Sequence, residues 1–594
     1  MVSNWDFMPA PLSEYDISTH NGFLSPEPPL KIISDPYYKP WEDLVSKIVQ
    51  YQLSGGFREM IHNLPTLSTD KLVGIKEYQR AYVVLGFLSH GYVWSLHKEP
   101  KEELPKCISI PFCEVSEYLG INPVSTNASV VLWNWEVLNS PKSINDKTVK
   151  DVDDQELDLD NLATLFTFTG SPDESWFYLV SVAIESKGGK IVKTAGDIAN
   201  AILSDDLSSV VSGLEDITKT IQLMTKLLVR MNEKCDPYIF YWKIRPYLAG
   251  WENMESVGLH NGVHYDGTKY IETKDAYGSL QDATTSKFIP VFSSKSEDGK
   301  NKPSSRRSSI SGYDGTYYRK YAGGSAAQSS IIQLIDIILG IRHYPSEDEI
   351  AENLEAGLDN SKSEKTPPGN PYLMKMRNYM PGLHRKFLQD YASAVKLRQY
   401  ILRSTPDIVK RNLLDESEFS ETINIVDTQS NGGQADDIKS RGKYNLAQQT
   451  ELIKIYNRSI SSLKTFRDAH ISIVTRYVAE PARGNKMPPQ KGENNTQEKV
   501  SNSTNSSLQD KVNGGISNII NYVTGKSTEN KPQAKNGIKS NGNANEQGKI
   551  SNVYEHGLAK IIDEDAVVLG TGGTDAIEFL KNIRDETFSS RIDS

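Results

Sequence analysis

The chain has 594 residues, with 66 Lys plus Arg against 76 Asp plus Glu and 38% hydrophobic residues. A formal charge of −10 with no domain-scale basic excess excludes broad phosphate binding, and with it nucleic acid as a partner. No run approaches the ~18 uninterrupted apolar residues of a membrane span.

Three cysteines, Cys107, Cys113 and Cys235, form neither a CxxC pair nor a zinc spacing, which fits a reducing compartment. The N-terminus lacks a basic region followed by an apolar run, so the expected location is cytoplasmic. At about 150 residues per domain the length suggests roughly four domains. Polar insertions lower that expectation toward one two-domain helical protein.

Residues 1–34 are rich in proline and polar groups and read as an arm on the surface. Apolar residues three and four apart then predict helices over Trp41–Leu53, Lys76–Leu96, Val115–Leu119 and Ala128–Leu138. Together with the acidic stretch up to Asp160 these form a small helical domain, 35–160. Longer helices are predicted over Trp176–Ile184, Thr194–Leu203, Val210–Asn232, Tyr238–Trp251, Ser329–Ile341, Met374–Ala394 and Glu451–Val478. They make a large helical domain, 161–483, interrupted by polar segments at Lys295–Ser311, Pro345–Pro371 and Asp415–Arg441. Strand-like alternation is scarce, so the fold class is all-α. Residues 484–549 are dense in Asn, Ser, Gly and Lys and cannot bury enough apolar surface to offset their ordering entropy, so disorder is expected there. Residues 550–594 carry a Gly-rich turn leading into a helix, a piece that must dock back on the large domain.

Four elements can carry chemistry. His470 shares one helix face with Leu463, Phe466, Ile473, Val474 and Tyr477, which places its imidazole in an apolar stripe. By itself it reads first as a core histidine bonded to a carbonyl. The alternative is an axial ligand to haem iron. Asp336 lies in a helix apolar on nearly every face and needs a buried partner, for which Arg467 is available. Arg245 stands among Phe240, Tyr241, Tyr247 and Trp251, where it can take a carboxylate or simply snorkel. The small residues Gly324, Ser325 and Ala326, and the turn Gly570-Thr-Gly-Gly-Thr-Asp, allow close backbone approach, though a plain loop and a plain N-cap explain each about as well.

Taken together, Tyr321-Ala-Gly-Gly-Ser-Ala-Ala-Gln-Ser-Ser, Phe240-Tyr-Trp-Lys-Ile-Arg-Pro-Tyr-Leu-Ala-Gly-Trp, Tyr379-Met-Pro-Gly-Leu-His-Arg-Lys-Phe-Leu, His470-Ile-Ser-Ile-Val-Thr-Arg-Tyr and Gly570-Thr-Gly-Gly-Thr-Asp resemble the blocks of the indoleamine 2,3-dioxygenases, fungal members in particular. The resemblance runs from about Gly22 to Thr587. It implies an all-α fold with a smaller N-terminal domain capping a larger domain that holds haem b, ferrous in the active state. It further implies L-tryptophan and O2 as substrates, N-formylkynurenine as product, a place at the head of the kynurenine route to NAD, and a monomer.

By the same resemblance His470 is the proximal iron ligand, with Asp336 and Arg467 as an ion pair beside it. Phe177, Ser181, Phe240 and Tyr241 form the distal pocket, which needs no acid or base. Arg245 meets the tryptophan carboxylate, Asn127 and Val130 with Val131 flank the ring, Gly324, Ser325 and Ala326 line the substrate side, and Thr571 and Gly572 belong to a loop that closes over the substrate. Asn127 replaces a pocket tyrosine of mammalian members, which leaves open a non-catalytic or weakly active paralogue, a sensor that binds haem, tryptophan or O2.

Overall fold

Ser171 opens the longest helix. Its hydroxyl accepts the amide of Asp173 at 3.1 Å, Pro172 takes the first turn, where a missing N–H costs nothing, and Asp173 and Glu174 complement the positive end of the helix dipole. The computed structural model describes residues 5–139, 157–268, 318–343, 370–405, 444–484, 558–560, 562, 568–571 and 575–592. Its principal helices are α1 (Gly74–Val93), α2 (Lys106–Leu119), α3 (Pro172–Leu203), α4 (Leu207–Val229), α5 (Ser330–Leu339), α6 (Gly382–Ala394), α7 (Leu446–Val474) and α8 (Ala576–Ser589). α3 packs on α4, α7 lies between α4 and α8, α5 touches α3 and α6, and α1 packs on α2.

The all-α expectation holds. Strands are short: Trp135–Val137 pairs antiparallel with Leu162–Thr164, and Val263–Tyr265 pairs with Glu103–Leu104 on one side and Tyr318–Arg319 on the other. No described helix is long and apolar enough to cross a membrane.

Three departures have physical causes. The two helices expected over Trp176–Ile184 and Thr194–Leu203 are one, α3, because the glycines between them serve packing. A Cβ at Gly189 would stand 2.1 Å from the carbonyl oxygen of His20, and one at Gly188 2.5 Å from Ile331 Cγ1. That contact also corrects the surface arm. Residues 5–23 lie across α3 and α6 with Trp5, Tyr15 and Phe23 buried, the Tyr15 hydroxyl donating to Asp390 at 2.6 Å, and Ser25 and Ser34 bond Gln79 and Glu77 of α1. Ala128–Leu138 is helical only to Leu132 and then becomes a strand. The boundary expected near 140–160 falls largely on residues 140–156, which with 485–549 and Lys295–Ser311 lie outside the described residues.

Buried side chains from Trp5 to Ile592 form one continuous cluster. Within it α3, α5, α7 and α8 leave a cavity.

Candidate active site

The cavity has a volume of about 310 Å³, the size of a small-molecule site, and its walls are mainly apolar. α7 supplies Phe466, Arg467, His470, Ile473 and Val474 to one wall, the face predicted from the 3.6-residue period. The His470 imidazole makes no hydrogen bond to any described residue. By contrast, buried His90 has one ring nitrogen on the Tyr247 carbonyl at 2.8 Å and the other on the Ser125 amide at 2.9 Å. Burial first, and the charge of Arg467 second, lower the His470 pKa to about 4. The ring is therefore neutral near pH 7, with a lone pair free to bind a metal.

Asp336 and Arg467 pair as expected. Both carboxylate oxygens accept from Nη2 of Arg467, at 2.7 and 2.8 Å, and both residues line the cavity. Burial alone would raise the Asp336 pKa, but the charges of Arg467 and His343 more than reverse this and hold it below the usual carboxylate range.

Phe177 and Ser181 reach the cavity from α3 and Phe240 from the helical run starting at Pro237, with the Phe177 and Phe240 rings 4.7 Å apart. Asn127, Val130 and Val131 line another part; the Asn127 backbone N–H donates to Oε1 of Gln328 at 3.0 Å, while its side-chain Nδ2 is buried without a partner among the described residues. Gly324, Ser325 and Ala326 also face it. A Cβ on Gly324 would meet nothing within 4 Å, as expected for backbone bordering empty space.

Arg245 lines the cavity and is only 3% exposed. Its Nη1 donates to the Leu558 carbonyl at 2.5 Å and its Nη2 to the Leu569 carbonyl, so the segment after residue 557 is tied to it. Burial lowers its pKa to about 10, which leaves it a cation at neutral pH.

Tyr241 corrects an expectation. It does not line the cavity but stands behind Arg245, its ring 5.1 Å from the guanidinium carbon and its hydroxyl donating to the Lys560 carbonyl at 2.6 Å. The π-helical turn Phe240–Ile244 rotates the neighbouring residues, so Phe240 faces inward and Tyr241 does not.

Thr571 lines the cavity, its carbonyl accepting from the amides of Gly250 and Gly323 and its hydroxyl donating to the Gly324 carbonyl. Gly572 lies outside the described residues.

Sequence reasoning missed two features. Glu185 lines the cavity at 3% exposure; Ser329 donates to one of its oxygens at 2.5 Å, while the other is buried without a partner among the described residues. Burial raises its pKa to about 7. The inner face of α8, with Phe579, Leu580 and Ile583, closes the cavity, although the sequence suggested only that this helix docks.

Among the described residues no group of three or more His, Cys, Asp or Glu could enclose a metal ion. A lone neutral imidazole on an apolar wall, in a cavity bordered by Gly324 and Ala326, fits a metal whose other positions are filled by a macrocycle.

Fold and site together define an all-α protein with an apolar cavity whose wall, among the described residues, carries one imidazole, that of His470, and the buried guanidiniums of Arg245 and Arg467. The family model for indoleamine 2,3-dioxygenase matches residues 11–590. An indoleamine 2,3-dioxygenase of Saccharomyces cerevisiae is 32% identical over 584 residues, covering 98% of this chain and 93% of that protein. One from Penicillium citrinum is 31% identical, covering 80% of this chain and 81% of its own. A 6-hydroxytryptophan 2,3-dioxygenase of Fusarium equiseti is 29% identical over 82% of this chain and 89% of its own. The chain belongs to the indoleamine 2,3-dioxygenase family, whose members are haem-dependent oxidoreductases. It is a tryptophan-dioxygenating enzyme, and the sensor reading is not favoured.

Proposed function

We propose that this chain adds both atoms of O2 across the C2–C3 bond of the indole of L-tryptophan, giving N-formylkynurenine, with haem b held by His470. In the cell this reaction opens the kynurenine route to NAD. The observation that carries the reading is the neutral His470 imidazole, without a hydrogen-bond partner among the described residues, on the wall of an apolar cavity that also holds a buried arginine. Ferrous haem, when bound, supplies the reduced iron that makes O2 reactive toward the indole.

The chain's own residues do the positioning. A guanidinium has five N–H donors; Arg245 spends two on the Leu558 and Leu569 carbonyls and keeps the others for the substrate carboxylate. Phe177 and Phe240 pack the indole and exclude water. Asn127 and Val130 border its edge, and Gly324, Ser325 and Ala326 let the ring system lie close to the backbone. Thr571 closes the pocket. Asp336 neutralises Arg467, so no uncompensated cation faces His470. None of these roles requires a side chain to move a proton.

The test is the purified protein loaded with haem and reduced. It should form N-formylkynurenine from tryptophan and O2, whereas His470→Ala should lose most bound haem and all turnover. A native-like haem spectrum in His470→Ala without added imidazole would overturn the ligand assignment.

A further inference from the structure

Behind the Asp336–Arg467 pair lies a second layer of charge that the reaction above does not use. His343 follows the end of α5, 9% exposed. Its Nδ1 is 2.7 Å from Oε2 of Glu586 on α8, and its Nε2 is 3.3 Å from Oδ2 of Asp336. Asp336 binds Arg467 on α7, and Nη1 of Arg467 reaches the carbonyl of Ile583, back on α8, at 3.5 Å. The chain of contacts therefore closes on itself: Glu586, His343, Asp336, Arg467, Ile583. It ties α5, α7 and α8 together at a point where Asp336, Arg467 and Ile583 all line the cavity.

A ring nitrogen facing a carboxylate must carry a proton to make a bond. His343 faces a carboxylate on each side, and only the imidazolium has two N–H groups. The neutral ring would leave one bare lone pair against an acid. The charged groups facing it are Asp336 from α5, Arg467 from α7 and Glu586 from α8. With His343 protonated each ring nitrogen donates to a carboxylate; without that proton one of the two carboxylates loses this donor in a largely buried cluster, where buried Arg377 also acts on Asp336.

We propose that His343 is a positioning residue which, as the imidazolium, clamps α8 onto the cavity and holds Asp336 against Arg467, so that one proton sets how firmly this wall of the pocket is closed. The inference rests on reading the cavity as the active site. Burial by itself would lower the His343 pKa, but the charge of Asp336 and the bonds to Asp336 and Glu586 outweigh it and hold the pKa above its ordinary 6.5. For a raised histidine the stabilisation is fully present below the unfolded value and is lost as pH climbs through the folded one. The clamp is thus closed in mild acid and opens on the alkaline side.

The test is amide hydrogen exchange in α8 of the full-length, haem-loaded protein, from about pH 6 to about pH 9, with exchange corrected for its intrinsic pH dependence. The wild type should show a one-proton step, with opening of α8 becoming about tenfold or more easier at the alkaline end, in proportion to a charge-assisted hydrogen bond. His343→Gln keeps a donor and an acceptor but cannot charge, and should abolish the step. Glu586→Gln removes one of the two acids and should move the step to lower pH. A wild type without a step, a step that survives in His343→Gln, or a step unmoved by Glu586→Gln would each overturn the clamp. The two readings fail separately. A chain that cleaves tryptophan but shows no step refutes the clamp alone, and one that shows the His343-dependent step but neither binds haem nor cleaves tryptophan refutes the function alone.

Discussion

Arg245 carries two duties, and they can be separated by geometry. Its guanidinium holds two carbonyls of the returning C-terminal segment while facing the cavity. A lysine keeps the charge but has one nitrogen in place of a planar fork. Arg245→Lys should therefore raise the KM for tryptophan by about tenfold or more with a smaller change in kcat; steady-state kinetics check this, and an unchanged KM would place the carboxylate elsewhere. Glu185 gives a stability prediction. Its folded pKa of about 7 lies above the ordinary 4.5, so stability is intact below pH 4.5 and falls as pH rises through 7. Ionising it costs about 3 kcal/mol. Glu185→Gln should flatten the pH dependence of denaturation midpoints between about pH 4.5 and about pH 7, the span between the two pKa values.

At the scale of elements, what could be read in advance followed the hydrophobic period. His470 and Asp336 were legible because each interrupts an apolar helix face, and Arg467 because a buried acid needs a cation. Glu185 was not, since its neighbours Ser186 and Lys187 are polar and its burial depends on the distant chain crossing at Gly188–Gly189. The split between Phe240 and Tyr241 was hidden for another reason. Three π-helical turns, Ala128–Leu132, Phe240–Ile244 and Thr475–Ala479, all supply cavity residues, and each shifts the face that a 3.6-residue period assigns. Backbone approach sets a further constraint. A Cβ on Gly323 would lie 2.2 Å from the Leu248 carbonyl oxygen and 2.7 Å from that of Thr571. Gly323→Ala should displace the Thr571 segment, cutting kcat/KM by about 100-fold while haem content stays near normal. Wild-type kinetics in this variant would mean that the segment does not shape the site.

At the scale of the whole molecule, length alone overstated the number of domains. The arm at the start, read as surface from its prolines and polar residues, is instead part of a cluster that continues to Ile592. Its few large side chains, Trp5, Tyr15 and Phe23, decide its position because α3 and α6 offer them a glycine-lined and aromatic surface. The C-terminal segment does the same at the other end, crossing back to supply both the Arg245 contacts and the α8 wall. Distant parts of the chain thus meet at one cavity. The most direct measurement is mass spectrometry of the product formed by the reduced, haem-loaded protein from L-tryptophan under ¹⁸O2 in ordinary water, corrected for exchange of the formyl oxygen. The expected product is N-formylkynurenine carrying two labelled oxygens. A product with one label, or no product from protein with a normal haem spectrum, would contradict the proposed reaction.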